Sequence, residues 1–191
     1  MKITKIFYSI QGEGSFSGVA SIFVRLFGCN LACHFCDDTY HVGTFYELNS
    51  KELIQKIKHY NSKTIVITGG EPSIYDLNQE IRDLKSVGFY VCVETNGYNF
   101  ENIKEANWIT YSPKDLQDIK TKGFDEIKFI LSNDTDTEPI LSFDSDKPIF
   151  IQPQNYLNRP NMKNLNFCID FVKKNPRFKL SVQTHKFLGI E

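Results

Sequence analysis

Short runs of β-branched and aromatic residues alternate along the chain with segments of helical periodicity. The runs are ITKIFY, SIFVRL, KTIVIT, FYVCVET, WITYS, EIKFIL, PIFIQ and FKLSVQT. Runs of this length, bounded by polar and turn-forming residues, are typical of strands that pack on at least one face. The pattern therefore predicts a strand at each of these places.

Three of the intervening segments place apolar residues at helical spacing. The first, NSKELIQKIKHY, begins behind a cap at Asn49, and the second, YDLNQEIRDLKSVG, ends at Gly88. The third, NLNFCIDFVKKN, lies between two prolines. Residues 132–147 are polar and acidic and predict a loop. Strands that alternate with helices predict βαβ units and a mainly parallel sheet, either doubly wound or curved into a barrel.

Chain length limits the kind of barrel that these elements can form. A complete (β/α) barrel needs roughly 250 residues, whereas this chain has 191. We therefore expect an α/β fold, namely a partial (β/α) barrel with a reduced helical complement. No linker interrupts the alternation, so residues 1–191 are expected to form a single domain. A laterally open barrel exposes apolar surface, and we expect a homodimer that covers it.

The composition is that of an ordinary globular protein. Hydrophobic residues make up 41% of the chain and charged residues 24%, with 22 Lys and Arg against 23 Asp and Glu. This balance disfavours a nucleic acid or an anionic membrane as the main partner. The N-terminus lacks the apolar run of a signal peptide, and no segment is long enough to span a bilayer. We therefore expect a cytoplasmic protein whose five cysteines stay reduced.

Polar or glycine-rich clusters follow six of the predicted strands directly. They are GCNLAC, TGGEP, ETNG, SPK, QPQ and QTHK. In a parallel α/β structure the carboxyl ends of the strands lie on one face, where active sites are built. Turn chemistry alone explains Gly, Pro and Asn at these places, but it does not explain Glu71, Glu94, Lys114, Gln152 and His185. The sequence therefore predicts a functional site at this face.

Cys29, Cys33 and Cys36 lie within eight residues of one another. One interpretation is three small buried residues on a helical face, but the neighbouring Gly, Asn, His and Asp residues make a poor core helix. A second is a zinc site with His34 or His41 as fourth ligand, although no second close pair of ligands is present. A third is a 4Fe–4S cluster held by three thiolates, which leaves one iron open to a substrate or cofactor.

The spacing C-x3-C-x2-C, written here as CNLACHFC, resembles the signature of the radical S-adenosylmethionine (SAM) superfamily. Further stretches are similar to the 7-carboxy-7-deazaguanine synthase family: YSIQGEGSFSG, FVRLFGCNL, TGGEP, VETNG, YSPK, EIKFIL, FIQPQ and LSVQTHKFLGIE. The likeness runs essentially from end to end. It implies a lyase that converts 6-carboxy-5,6,7,8-tetrahydropterin into 7-carboxy-7-deazaguanine and ammonia, with SAM regenerated in each turnover. The product would enter queuosine biosynthesis for tRNA modification or another 7-deazapurine pathway.

The resemblance also implies roles for particular residues. The expected ligands of the 4Fe–4S cluster are Cys29, Cys33 and Cys36. The residues expected to bind SAM are Phe35, Asp37, Gly70, Glu71, Glu94, Asn96, Ser112, Pro113, Lys114 and Gln152. Those expected to bind the pterin substrate are Ile10, Gln11, Gly12, Glu13, Arg25, Thr68 and Glu191.

Side-chain chemistry agrees with several of these roles. Arg25 ends an apolar strand and can bind a carboxylate through two parallel hydrogen bonds. Gln11 and Glu13 offer amide and carboxylate groups that suit the guanidine-like edge of a pterin. Glu126 and Lys128 share one face of their strand, and we expect them to pair with each other inside the barrel without touching a ligand.

Magnesium is the third cofactor that the resemblance implies, and two residues compete for it. The family commonly has Cys-Asp-Thr at this point, with the Thr hydroxyl on the metal, whereas here Asp37, Asp38 and Thr39 follow Cys36. Either Asp38 occupies the metal position or Thr39 is shifted into it. A carboxylate is the better ligand for a hard cation, so we expect Asp38 to bind magnesium, with Thr39 as the alternative.

The implied partners are a small-molecule pterin and an electron donor such as flavodoxin or ferredoxin, with no nucleic acid and no membrane. Two other functions stay open. A small activase of a glycyl-radical enzyme also uses radical SAM chemistry, but it is not expected to contain QGEG or QTHKFLGIE. A non-enzymatic zinc-binding module would contain zinc without iron or sulfide.

Overall fold

The computed structural model describes residues 1–38 and 41–191. Its strands coincide with the eight apolar runs, and one further short strand lies between the second and third of them. The strands are β1 (Lys2–Ile10), β2 (Ala20–Leu26), β3 (Tyr46–Glu47), β4 (Thr64–Gly69), β5 (Tyr90–Thr95), β6 (Trp108–Tyr111), β7 (Glu126–Leu131), β8 (Ile149–Pro153) and β9 (Lys179–Leu180).

These strands form one sheet in the order β3-β1-β2-β4-β5-β6-β7-β8-β9. β1 is antiparallel to β2 and to β3, while every neighbouring pair from β2 to β9 is parallel. The carboxyl ends of these parallel strands therefore lie along one edge of the sheet. The sheet ends at β3 and β9 without pairing the two, as expected for a partial barrel.

The helices of the described residues are α1 (Ser50–Ile57), α2 (Asn78–Ser86), α3 (Glu138–Ser142), α4 (Met162–Lys174) and α5 (Thr184–Leu188). The three predicted helices are present as α1, α2 and α4. α1 starts at a capping box, in which the Asn49 side chain accepts from the Glu52 amide and the Glu52 side chain accepts from the Asn49 amide. None of the described helices combines the length and the apolar character needed to cross a membrane.

The structure differs from the sequence prediction at three elements. The two-residue strand β3 is too short to leave a periodic signal, and α3 lies inside the segment predicted as a loop. The run FKLSVQT was predicted as a strand to residue 184, but β9 ends at Leu180 and α5 begins at Thr184. The chain leaves the sheet here because Thr184 donates from its amide and its hydroxyl to the Gly12 carbonyl.

Apolar side chains pack on both faces of the sheet. The larger core lies between the sheet and the helices and includes Ile65, Ile67, Leu53 and Ile81. The smaller core lies on the opposite face, where Phe7 and Phe23 stack with ring centroids 4.9 Å apart beside Val66 and Cys92. Phe7 and Phe23 also line a cavity at the carboxyl ends of the strands, so this second core forms its apolar floor.

Candidate active site

A cavity of about 520 Å³ opens where the parallel strands end, a size typical of small-molecule sites. Most residues that the sequence singled out line it: Ile10, Gln11, Glu13, Arg25, Cys29, Cys33, Phe35, Cys36, Asp37, Asp38, Thr68, Gly70, Glu71, Glu94, Asn96, Ser112, Lys114, Gln152 and Glu191. Gly12 and Pro113 are not part of this lining. Thr39, the alternative magnesium ligand, lies outside the described residues.

The loop that carries the three cysteines follows β2 and forms one wall of the cavity. All three thiols are free, and none of these residues is fully buried. Partial burial raises the pKa of Cys29 and of Cys36, and the neighbouring Cys33 acts in the same direction. The thiols of Cys29 and Cys36 therefore stay protonated near neutral pH until a metal replaces the protons.

The TGGEP segment after β4 holds this cysteine loop in place. A Cβ atom at Gly70 would overlap the Gly28 carbonyl oxygen, and one at Gly69, whose φ is +102°, would lie 2.8 Å from the Leu26 carbonyl oxygen. The Gly28 carbonyl also accepts from the Glu71 amide at 2.8 Å. Glycine is required here because two backbones touch. The resemblance assigned Gly70 to SAM, and the structure places it against the backbone that leads into the cysteine loop.

Glu71 is 1% exposed, and its carboxylate is occupied inside the protein. Oε1 accepts from the Ser73 amide at 2.9 Å and from the hydroxyls of Ser73 and Thr95. Oε2 accepts from the Asn96 amide at 2.6 Å. The Asn96 side chain in turn donates to Oδ1 of Asn30 in the cysteine loop at 2.9 Å. Glu71 therefore ties the ends of β4 and β5 together beneath the cavity wall.

Glu94 joins two residues that the sequence placed on the substrate side. The Gln11 side chain donates to one of its oxygens at 3.0 Å, and the Thr68 hydroxyl donates to the other at 3.0 Å. Gln11 also accepts from the Glu13 amide at 3.2 Å, which orients its carboxamide. These contacts bring β4, β5 and the QGEG segment to one polar wall.

Arg25 faces the same cavity from the end of β2. Its guanidinium lies over the Phe7 ring, 5.6 Å from the centroid. Its Nη1 atom is 3.6 Å from a carboxylate oxygen of the buried Asp38. The ring and the carboxylate fix the plane of the guanidinium, which suits bidentate binding of an anion.

The expected pairing of Glu126 with Lys128 is wrong, because Lys128 pairs with Glu13. The QGEG segment crosses the inner face of the sheet and brings the Glu13 carboxylate to the Lys128 ammonium. Glu126 instead accepts from the Ser15 amide at 3.0 Å and from the Thr110 hydroxyl at 2.8 Å. A partner more than a hundred residues away in sequence gives no signal in strand periodicity.

Glu13 remains charged although it is buried. Oε1 accepts from Gln183 at 2.9 Å, and Oε2 accepts from Lys128 and, at 3.1 Å, from Gln152. Burial opposes the charge, but the Lys128 ammonium and the hydrogen bonds outweigh burial and lower the pKa of Glu13 to about 2. The Gln152 side chain is 2% exposed and accepts a hydrogen bond from the Ser181 hydroxyl, which fixes the orientation of the amide that donates to Glu13.

The segment after β9 closes the side of the barrel. Gln183 donates to Glu13 and also to Asp37 at 2.8 Å, and Lys186 donates to the same Asp37 oxygen at 2.7 Å. At the last residue, the Ser9 hydroxyl donates to the Glu191 main-chain oxygen at 2.5 Å, and Lys5 pairs with the Glu191 side chain. The C-terminal residue thus lies at the cavity wall formed by β1.

Lys114, in the SPK segment after β6, supplies a cation to the cavity. Its ammonium donates to the carbonyl and the hydroxyl of Ser112, at 2.9 and 2.7 Å. Burial and the nearby Lys128 lower the pKa of Lys114 to about 8. Because its surroundings disfavour the charged form of Lys114, an anionic ligand beside the ammonium would stabilise that form.

Known proteins are similar to this chain in sequence. The radical SAM superfamily model matches residues 24–138, which include the cysteine loop and TGGEP. A 7-carboxy-7-deazaguanine synthase from Bacteroides thetaiotaomicron is 35% identical over 190 residues, covering 99% of this chain and 98% of that protein. One from Neisseria meningitidis is 33% identical, covering 100% and 94%. The chain belongs to the 7-carboxy-7-deazaguanine synthase family of radical SAM enzymes.

A solved structure of this synthase family supports the fold. QueE from Escherichia coli matches with a TM-score of 0.77 at 26% identity, covering 95% of this chain and 93% of that one. Streptococcus suis SuiB bound to its precursor peptide SuiA matches with a TM-score of 0.53 at 12% identity, covering 46% of that chain, and shows the fold alone. The expected α/β fold of the radical SAM type is confirmed.

Membership of the radical SAM superfamily implies a 4Fe–4S cluster, SAM, a small-molecule substrate and a reductant. The donor set fits a cluster better than zinc. Within the described part of the chain, no three His, Cys, Asp or Glu side chains converge on a single metal position. A 4Fe–4S cluster does not need such convergence, because each thiolate binds a different iron. His41 is also engaged, with Nδ1 2.5 Å from the Asp38 carbonyl oxygen.

Sequence reasoning missed several residues of this synthase site. Gln183 and Lys186 bind Asp37 and were not assigned to the site, although QTHK was noted as a polar cluster after a strand. Lys128 was expected to stay apart from the site, yet it lines the cavity. Asn155 and Asn158 also line the cavity, from the loop after β8. That loop carries no periodic or motif signal that would have marked it.

Proposed function

We propose that this chain converts 6-carboxy-5,6,7,8-tetrahydropterin into 7-carboxy-7-deazaguanine with loss of ammonia and with SAM regenerated in each turnover. The observation that carries the proposal is a single cavity with a three-cysteine loop on one wall and the Gln11–Glu94–Thr68 wall on another. This arrangement supports a site in which a radical generated at the loop meets a polar heterocycle. The family relatives named above support the same reaction.

The pterin would occupy the polar wall. Its amino and ring N–H groups are donors, and the carboxylates of Glu13 and Glu94, each held by hydrogen bonds from the protein, are acceptors. Arg25, already fixed in its plane, would bind the substrate carboxylate. The remaining residues assigned to the substrate are Ile10, Gln11, Gly12, Thr68 and Glu191.

SAM would lie between the cysteine loop and Lys114. With a pKa of about 8, Lys114 is mostly protonated at neutral pH and is suited to the methionine carboxylate of SAM. Phe35, on the loop, would pack against the adenine. The other residues assigned to SAM are Asp37, Gly70, Glu71, Asn96, Ser112, Pro113 and Gln152, whereas Glu94, which the resemblance assigned to SAM, would face the pterin because Gln11 and Thr68 hold it on the polar wall. Because Glu71 and Gln152 are fully hydrogen-bonded within the protein, they would act by positioning their neighbours.

The chain's own residues then have three tasks. Cys29, Cys33 and Cys36 would hold the 4Fe–4S cluster, which would supply the electron for cleavage of SAM. Phe7 and Phe23 keep the floor of the cavity apolar and dry. The Glu13 and Glu94 carboxylates hold the substrate so that one C–H bond faces the radical.

Magnesium is assigned to Asp38, with Thr39 as the alternative ligand. The Asp38 carboxylate is buried within the cavity wall, 3.6 Å from the Arg25 guanidinium. A metal here would lie beside the place proposed for the substrate carboxylate, so the ion and Arg25 would share that anion. An Asp38→Ala variant should need more magnesium for half-maximal activity, and a Thr39→Ala variant should not. The reverse result would assign the metal to Thr39.

We also propose the remaining features expected from the sequence. Residues 1–191 act as a single domain, which forms a homodimer in the cytoplasm and receives electrons from a flavodoxin or ferredoxin. Sedimentation at micromolar concentration tests the dimer. A reconstituted assay that exchanges flavodoxin for ferredoxin tests the donor.

The decisive experiment is anaerobic. The protein is reconstituted with iron and sulfide, reduced, and given SAM, magnesium and 6-carboxytetrahydropterin, and the product is followed by absorbance and mass. Formation of 7-carboxy-7-deazaguanine is expected. It should be abolished in Cys33→Ala but retained in Cys168→Ala, a matched control because that thiol lies on the buried face of helix α4.

Two other outcomes would replace the proposal. If SAM is cleaved while the pterin stays intact, another radical SAM reaction such as glycyl-radical activation takes its place. If the protein binds zinc and assembles no cluster, it is a zinc-binding module.

A further inference from the structure

Lys128 is a buried cation to which the proposed reaction gives no role. It lies in the middle of β7, its side chain is 5% exposed, and it lines the cavity. A buried ammonium is unfavourable unless a charge and hydrogen bonds compensate it. Its partner is the Glu13 carboxylate, which comes from the QGEG segment on the far side of the barrel.

The hydrogen bonds of Glu13 leave limited room for a ligand. An ionised carboxylate has about four acceptor positions. Three donors of the chain occupy some of them: Lys128 and Gln152 on Oε2, and Gln183 on Oε1. About one acceptor position of Glu13 is therefore left for a ligand. The three donors fix the orientation of this carboxylate, which lines the cavity.

We propose that Lys128 is a positioning residue for the reaction: its ammonium keeps the Glu13 carboxylate ionised and aimed, so that the remaining acceptor position receives an N–H of the pterin. The proposal rests on the proposed function, since it requires Glu13 to face the substrate. It assigns Lys128 no contact with the substrate.

The electrostatic surroundings make Lys128 the dominant influence on Glu13. The charged or titratable groups that face Glu13 or its partner are Glu126 on β7, Glu94 on β5, Lys114 after β6, Asp37 in the cysteine loop and His185 on α5. The carboxylates among them disfavour a charge on Glu13. Lys128 is the cation in direct contact, and burial without it would favour the protonated acid.

Removal of the ammonium should therefore make substrate binding depend on pH. In the wild type the pKa of Glu13 is about 2, so the carboxylate is ionised throughout the range from pH 5.5 to 8.5. In Lys128→Met, burial is no longer opposed and the pKa of Glu13 rises. As the pH falls through that raised pKa, the carboxylate becomes a neutral acid, which is a weaker acceptor and carries a proton on one oxygen, so it binds the pterin more weakly.

The test measures binding without turnover. The reconstituted full-length enzyme, with SAM and without reductant, is titrated with 6-carboxypterin by fluorescence between pH 5.5 and 8.5. The ratio of the Kd of Lys128→Met to that of the wild type should rise at least tenfold as the pH falls across this range. Lys128→Arg, which keeps the charge, and Lys122→Met, which removes an exposed lysine, should each give a constant ratio near one.

A purely structural role would change the Kd ratio equally at every pH, and that result would overturn the proposal. Lys128→Gln is a second variant in case Lys128→Met does not fold. Its amide can still donate to Glu13 but carries no charge, so its Kd ratio should show the same rise as the pH falls. The double variant Glu13→Gln with Lys128→Met contains neither charge and should bind weakly with no pH-dependent ratio. Failure of the wild type itself to bind 6-carboxypterin would instead reject the proposed substrate, and this proposal with it.

Discussion

The Lys186 ammonium lies 2.7 Å from a carboxylate oxygen of Asp37, so helix α5 is attached to the residue that directly follows Cys36. The Lys186 side chain is 6% exposed, while Asp37 is 44% exposed. Desolvation disfavours the charge on Asp37, but Lys186 and Gln183 outweigh it and lower the pKa of Asp37. The two ends of the site, the cysteine loop and the C-terminal segment, are thereby held together by one carboxylate.

Loss of this ion pair should affect the site more than the fold. For Lys186→Met we expect the free energy of unfolding to fall by about 1 kcal/mol or less, because one partner is half exposed. The value of kcat/KM for the pterin should fall about tenfold, because the cysteine loop loses an attachment. Chemical denaturation and steady-state kinetics test the two effects. Lys186→Arg should behave as the wild type, and an unchanged kcat/KM in Lys186→Met would contradict the interpretation.

Gly70 should be essential for assembly of the cluster. An alanine there would overlap the Gly28 carbonyl oxygen and push the cysteine loop outward. We expect Gly70→Ala to retain only a small part of its iron after reconstitution. Gly88→Ala is the matched control, since its Cβ would meet open space although φ is +89°. It should cost about 1–2 kcal/mol of stability through backbone strain alone and retain its iron, which iron analysis and thermal unfolding would show.

The Glu13 carboxylate should make the cluster-free chain less stable in acid. Its folded pKa of about 2 lies below the ordinary value of 4.5, so its stabilisation is present above about pH 4.5 and is lost as the pH falls toward 2. Relative to Glu13→Gln, the wild type should lose about 2 kcal/mol of its free energy of unfolding between pH 6 and pH 3. Urea denaturation of both proteins at several pH values measures this. A difference between them that stays constant with pH would show that folding does not lower the pKa of Glu13.

Glu94 should influence the pterin more than SAM. Glu94→Gln keeps the size of the side chain but weakens its hydrogen bonds from Gln11 and Thr68. We expect the KM for the pterin to rise about tenfold to a hundredfold, with a smaller change in the KM for SAM. Glu105→Gln, at a surface ion pair with Arg82, is the control and should leave both constants unchanged. A larger effect on SAM would place Glu94 on the cofactor side, as the motif resemblance suggested.

The sequence alone determined eight of the nine strands in the described part of the chain, three helices and many of the residues that line the cavity. Apolar runs and helical spacing report burial within one element, and parallel strands necessarily bring their carboxyl ends to one edge. The cysteine spacing and the TGGEP segment are local motifs that can be found in the sequence, and the structure brings the backbones of the two segments into contact at Gly28 and Gly70. The resemblance singled out Gly70 as a SAM-binding residue, and the structure adds its contact with the Gly28 backbone, which requires glycine.

Only the tertiary structure decided which side chains became partners. Lys128 joins Glu13 instead of Glu126, and Lys186 and Gln183 reach Asp37, across separations of more than a hundred residues. The short elements β3 and α3 likewise depend on contacts that periodicity does not contain. The local sequence pattern encodes which face of a helix or strand is buried. The pairing of charges depends instead on how the QGEG segment and α5 cross the open side of the barrel. Only folding brings these two segments to their charged partners.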